Sequence, residues 1–270
     1  MKVRPAAEAD LDGITAVAEL VGQGAEGGGG DRRYLRHFMA VGRLGVAEVA
    51  GDVVGYVASR RVGSADMLGD LFIHPDHRGR GVGGALLAAA WTDAPHRQTF
   101  SSLDPAALPL YVRAGMTPRW PLLYLAGDVG ALPPVEGVSV SEVDAATASS
   151  LEEGLTGQDR ADDYRYWSQR TSGKCLVAAR GELVLGVAAV GGEGGGFGIS
   201  HLVGATSQAD AVLAVLGSLN RRAVVTLPGP HPALPQLLAA GWRVEYTDIY
   251  QSTGGSLIDP QSVCPHPGLA

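Results

Sequence analysis

Asp70-Leu71-Phe72-Ile73-His74-Pro75-Asp76-His77-Arg78-Gly79-Arg80-Gly81-Val82-Gly83-Gly84-Ala85-Leu86-Leu87 decides how the rest of the chain is read. The apolar run 67–73 has the look of a strand, which Pro75 ends; two arginines and four glycines then open an amphipathic helix over about 83–92. Glycines let backbone N–H groups crowd around an anion without a Cβ in the way. A helix N-terminus adds free donors and the positive end of its dipole, and the arginines add charge. The physical reading is a pyrophosphate site. A turn needing positive φ would explain one or two of the glycines, but not two arginines beside four. A Walker loop needs Gly-Lys-Ser/Thr, and the two lysines of the chain, Lys2 and Lys174, lie far away. The spacing Gly79-x-Gly81-x-x-Gly84, with Asp104 20 residues on, also fits a dinucleotide fingerprint. There, however, the strand should run straight into the first glycine.

Working outward, strands and helices alternate. A short strand at 3–5 precedes a helix over 11–21 with Asp10 as its cap; a break at 27–30 leads to a second helix over 31–41. Strands at 44–49 and 53–59 flank a hairpin at Gly51-Asp52. After the glycine-rich segment come a strand near Thr99, a helix at 106–113 and a strand at 120–126. Leu132-Pro133-Pro134 reads as a linker, and then the pattern restarts. Val138-Ser139-Val140 echoes Val3-Arg4-Pro5 at an offset near 135. Val177-Ala178 with Gly186 echoes Val46-Ala47 with Gly55 at 131, and Ala233-Leu234-Pro235 with Gly241 echoes Ala107-Leu108-Pro109 with Gly115 at 126. Five residues are lost between the last two matches, in the interval that holds His74 to Gly84. In its place the second half has Ser200-His201-Leu202-Val203-Gly204-Ala205-Thr206-Ser207, with no arginine and one glycine. Whatever the segment does, the first half alone is equipped for it.

The segment resembles motif A of the GNAT acyltransferases, Arg/Gln-x-x-Gly-x-Gly/Ala after a strand ending apolar-x-Pro; here these are Arg78-Gly79-Arg80-Gly81-Val82-Gly83 and Ile73-His74-Pro75. Ala107-Leu108-Pro109-Leu110-Tyr111-Val112-Arg113-Ala114-Gly115-Met116 is similar to the helix that carries the family's Ala-x-x-Leu-Tyr-x-x-x-Gly-Phe. The resemblance covers residues 1–127, and the second half looks like a degenerate copy. It implies an α/β (α+β) fold of two tandem GNAT-like domains, at 1–130 and 137–270, each a mixed, mostly antiparallel twisted sheet flanked by helices. It also implies acetyl-CoA as cosubstrate, with Leu71, Phe72 and Ile73 presenting backbone groups to the pantetheine. Arg78, Gly79, Arg80, Gly81, Val82, Gly83 and Gly84 would wrap the diphosphate. Tyr111 stands where the family has the acid that protonates the thiolate; Leu237, its counterpart, cannot donate. Asp70 stands at the strand end where related enzymes carry an acidic base, and is also open to a capping role. Asp104 lies where the family often has an asparagine on CoA, and its charge opposes that contact. The implied reaction is N-acyl transfer to a small-molecule or peptide amine. Two alternatives stay open, a non-catalytic acyl-CoA sensor and an NAD(P)-binding oxidoreductase.

Composition bounds these readings. The chain has 270 residues and 46% hydrophobic residues, enough for two cores, and no apolar run nears the ~18 residues of a membrane span. Its start lacks a secretory signal, so the expectation is a cytoplasmic monomer or homodimer with no membrane partner. A net charge of −7 gives no reason to expect nucleic acid. Two cysteines supply neither a disulfide framework nor a thiolate zinc site, and His74 and His77 have no partners for a metal, so none is expected. Asp159, Arg160, Asp163 and Tyr164 lead an aromatic helix that either lines a pocket between the halves or covers the surface. The residues from 252 onward read as an extended tail.

Overall fold

The computed structural model describes all residues except 24–27, 194–195, 206–208 and 220–221. Gly27 of the expected break, and Thr206 and Ser207 of the second-half stretch, lie outside the described residues. The first half runs β1 (Lys2–Pro5), α1 (Leu11–Leu20), α2 (Arg32–Val41), β2 (Arg43–Val49), β3 (Asp52–Val62), β4 (Ala65–Ile73), α3 (Val82–Ala90), β5 (His96–Ser101), α4 (Ala107–Arg113) and β6 (Thr117–Asp128). The second half repeats that order: β7 (Ser139–Val143), α5 (Ala145–Thr156), α6 (Ala161–Ser168), β8 (Lys174–Arg180), β9 (Leu183–Glu193), β10 (Gly196–Gly204), α7 (Asp210–Gly217), β11 (Arg222–Pro228), α8 (Leu234–Ala239) and β12 (Arg243–Ser252). A short β13 (Val263–Cys264) follows. No helix among the described residues is long and apolar enough to cross a membrane.

Local chemistry accounts for most of these elements. The stripe Leu11, Ile14, Val17 and Ala18 buries one face of α1. Asp31 caps α2 by accepting from Arg33 N, and Asp144 caps α5 by accepting from Thr147 N. Asp10 does not cap α1. The Arg4 guanidinium reaches it with two hydrogen bonds of 2.6 and 2.8 Å, and Ala7 N adds a third, which turns the carboxylate back toward β1. The β2–β3 turn is made by Ala50 and Gly51, both at positive φ, one residue earlier than Gly51-Asp52.

All the strands join one sheet, ordered β1-β2-β3-β4-β5-β12-β6-β11-β10-β9-β8-β7, with β13 alongside β10. Its pairs are antiparallel apart from β4–β5 and β10–β11. This mostly antiparallel order does not match the parallel, doubly wound sheet of dinucleotide-binding oxidoreductases.

The halves exchange their last strands. The neighbour of β5 is β12 of the second half, with Gln98 opposite Ser252 and Ser101 opposite Ile249. The neighbour of β11 is β6 of the first half, with Val224 opposite Ala126. The two exchanged strands pair with each other at the centre, Thr117 opposite Ser252 and Ala126 opposite Arg243, so the two sheets fuse into one.

Candidate active site

The site begins with a bulge. On β4, Leu68 and Asp70 face consecutive residues of β3, Ser59 and Ala58, so Gly69 is one residue too many for its partner. A bulge bends and twists the strand that carries it. Here β4 pairs with β5 only from Ala65 to Leu68, and from Gly69 to Ile73 the two strands diverge. The second half keeps the same device: Ile199 and His201 face Val190 and Ala189, with Ser200 as the extra residue.

The divergence leaves backbone groups of β4 unpaired on one side. His74 N donates to Val54 O of β3 at 2.9 Å. Amide direction alternates along a strand, so Phe72 also faces β3, whereas the amides of Leu71 and Ile73 face the gap. In the second half the corresponding gap is filled by the chain itself. β13 pairs with β10, Cys264 opposite Leu202 and Val263 opposite Val203. Gly204 N, 131 residues on from Ile73 N, donates to Ser262 O at 2.7 Å, and Thr226 Oγ1 of β11 donates to Pro265 O at 2.6 Å.

At the open end of the first-half gap, Pro75–His77 forms a single helical turn and the chain then loops into α3. Gly79 and Gly81 have φ of +73° and +83°, a conformation costly for other residues. A Cβ at Gly79, Gly81 or Gly84 would meet no atom within 4 Å, whereas one at Gly83 would press on Ile73 Cδ1 at 3.2 Å. The first three glycines thus border open space and Gly83 packs α3 on β4. Among the described residues, the amides of residues 79–84 donate to no protein acceptor. The Arg78 and Arg80 side chains are exposed, and Arg78 stands 3.6 Å from the Asp104 carboxylate. Asp104 therefore sits beside an arginine of the loop, and its other oxygen accepts from Ala106 N ahead of α4.

Asp70 lies across β4 from this loop, on the α1–α2 face, and is 8% exposed. Tyr34 and Tyr56 donate to its two oxygens at 3.3 and 3.5 Å. Gly29 roofs the group: a Cβ there would fall 3.2 Å from Asp70 Oδ2 and 1.7 Å from the Tyr56 hydroxyl. On the other side the tail passes so near that a Cβ on Gly69 would meet Gly268 O at 2.6 Å. Burial pushes the Asp70 carboxyl up to about 7, against the two tyrosine hydrogen bonds.

Tyr111 projects from α4 into the cluster of Val82, Leu86, Leu87 and Met116. Its hydroxyl has no hydrogen-bond partner among the described residues. Burial raises its pKa, and the charges of Asp70 and Asp248 raise it further, so the phenol keeps its proton. Leu237 occupies the matching place on α8 and is fully buried.

Of the charged residues ahead of the α6 aromatics, Asp159 is exposed and lines a small cavity with Arg160 and with Arg60 to Gly63 of the first half, whereas Asp163 lies in the interior. Asp163 is fully buried and takes His37 Nε2 at 2.7 Å, Arg60 and Arg160, which ties α2 and β3 of the first half to α6 of the second. Burial alone would raise its pKa, but the two arginines and the His37 hydrogen bond hold it far below the ordinary range. Arg160 also donates to Leu269 O at 2.7 Å and so fixes the tail. Sequence reasoning passed over Asp248, Tyr34 and Tyr56. The first was detectable as an acid whose counterpart, 126 residues earlier, is the apolar Leu122.

The bulged, diverging strand, the glycine-arginine loop and the helix after it all fall within residues 35–117, which match the family model described as Acetyltransferase (GNAT) domain. Those residues are thus similar to a GNAT acetyltransferase domain, and the chain as a whole shares the fold of a tandem GNAT protein. Among curated proteins it is similar to mycothiol acetyltransferases from Amycolatopsis mediterranei, 33% identical over 52% of this chain and 54% of that protein, and from Parafrankia sp., 32% identical over 46% and 42%. The chain spans about half the length of these relatives. A solved structure from Pyrococcus horikoshii superposes with a TM-score of 0.76 at 15% identity, covering 100% of this chain and 94% of that one. A tandem GNAT protein from the clavulanic acid biosynthesis pathway superposes with 0.64 at 16%, covering 94% and 99%.

Proposed function

We propose that the protein is an N-acetyltransferase that moves an acetyl or other short acyl group from acetyl-CoA to a primary amine by direct attack. In this reading residues 1–130 form the catalytic GNAT domain and 137–270 a degenerate copy. The observation that carries it is the contrast between two equivalent gaps. The first is open beside a loop of unpaired amides, and the second is occupied by β13.

Arg78, Arg80 and the amides of residues 79–84 hold the diphosphate. Leu71 and Ile73 offer their free backbone groups to the pantetheine, and one of these amides polarises the thioester carbonyl. Phe72, whose amide is engaged by β3, contributes through its side chain. Asp70 takes a proton from the incoming ammonium, either directly or through water. The neutral amine nitrogen then bonds to the acyl carbon, the carbon–sulfur bond breaks and Tyr111 gives its proton to the departing thiolate; the second proton of the nitrogen leaves through solvent and restores the Tyr111 phenol, so that the products are the amide and the free thiol of CoA. No covalent enzyme intermediate forms.

Release of CoA thiol from acetyl-CoA across a panel of amines tests the reading. The relatives' name is the reason to include mycothiol chemistry in that panel. Arg78→Ala combined with Gly81→Ala should abolish acetyl-CoA binding, and unchanged calorimetric affinity would refute the assignment of the loop.

A further inference from the structure

The strand exchange brings a second carboxylate to the first-half site. Asp248 sits on β12 opposite Leu122 of β6, one residue before Ile249 pairs with Ser101 at the end of β5. That register puts it at the open end of the gap, where β4 and β5 have already parted. Alternate residues of a strand share a face. Asp248 is therefore on the same side as Tyr250, which packs with Phe100, Trp120 and Met67 of β4. Asp70 lies on that face of β4 as well.

The carboxylate is 7% exposed and held from one side. The Tyr124 hydroxyl donates to Oδ2 at 2.6 Å, and Oδ1 has no protein donor among the described residues. The carboxylate thus has a single protein hydrogen bond and leaves Oδ1 for a donor from outside the fold. The fold does not require an acid here. The equivalent place in the second half is Leu122, fully buried, in the half where Leu237 replaces Tyr111 and β13 fills the gap. The acid and the tyrosine are present together in one half and absent together from the other.

We propose that Asp248 is the acceptor-binding carboxylate of the first-half site, its Oδ1 receiving the ammonium group of a cationic aliphatic amine opposite Asp70. The inference rests on the acetyltransferase reading. It narrows the acceptor to amines that arrive charged, and it makes the second half a contributor to the active site through one exchanged strand.

The test is calorimetry on the full-length protein saturated with CoA, titrated with 1,5-diaminopentane, a cation at neutral pH, and with aniline, which is neutral there. Asp248→Asn keeps an acceptor for Tyr124, and its melting curve checks that it folds. The expected result is a loss of diamine affinity of about tenfold or more in Asp248→Asn, retained affinity in Asp248→Glu, and no change for aniline or for CoA itself. Equal diamine affinity in wild type and Asp248→Asn, including no measurable affinity in either, overturns the proposal. Failure of CoA to bind the wild type would instead strike the acetyltransferase reading.

Discussion

Cys264 lies opposite Leu202 in the gap of the second half, at the position where Leu71 of the first half faces an empty edge. Ligand-like strand pairing by the tail thus closes one of two otherwise equivalent clefts. The expected outcome is one acetyl-CoA per chain. Calorimetric stoichiometry checks it, and a value of two would show that β13 yields to the cofactor.

Among the described residues Tyr111 has no hydrogen-bond partner, and burial keeps its phenol protonated, which suits a donor more than a structural hydroxyl. Tyr111→Phe removes one oxygen from a packed ring. It should lower kcat by about 10²-fold while leaving the Kd for acetyl-CoA within error. Wild-type turnover would take Tyr111 out of the mechanism.

Asp70 makes opposite demands on activity and stability. Its carboxyl is raised to about 7, whereas an unfolded aspartate titrates near ~3.9. Between those values the folded protein keeps a proton that the unfolded chain has lost, so this group's contribution to stability falls as pH rises from about 4 to about 7. Asp70→Asn should therefore melt higher than wild type at pH 8, by roughly 2–4 °C for each kcal/mol relieved, with the difference vanishing toward pH 4. As a base the group works only when ionised, so wild-type kcat/KM should fall below pH 7, and the residual rate of Asp70→Asn should lack that limb.

Asp163 is the sole carboxylate in contact with both Arg60 and Arg160 among the described residues. Asp163→Asn removes the one carboxylate that both buried cations touch. A loss of about 3–5 kcal/mol in denaturant unfolding is expected. A smaller loss than 1 kcal/mol would mean that the network is not buried in solution.

The repeat and the site loop could be read from residues because both are local. The offset of 131 that relates Val46-Ala47 to Val177-Ala178 also relates Gly69 to Ser200, the two bulges. The glycines and arginines of 78–84 lie in one stretch of chain, so the loop they make, with Gly79 and Gly81 at positive φ, was open to reading there. The exchange of β6 and β12 was hidden for a physical reason: each strand has the same apolar pattern whether it completes its own half or the other. Asp248 was missed with it, since a residue of the second half gave no cause to be placed in the first half's cleft. The burial of Asp163 depended on Arg60, 103 residues away, and a charged helix start looks the same beside water.

The exchange also sets a timetable for synthesis. β5 ends at Ser101, and its outer neighbour is complete only at Ser252. At ribosomal rates of ~5–20 residues per second, the nascent first half waits on the order of 10–30 s with that edge unpaired. An uncovered sheet edge invites pairing with other chains. Cutting the gene at the linker would make the wait permanent, since each fragment would carry the closing strand that belongs to the other.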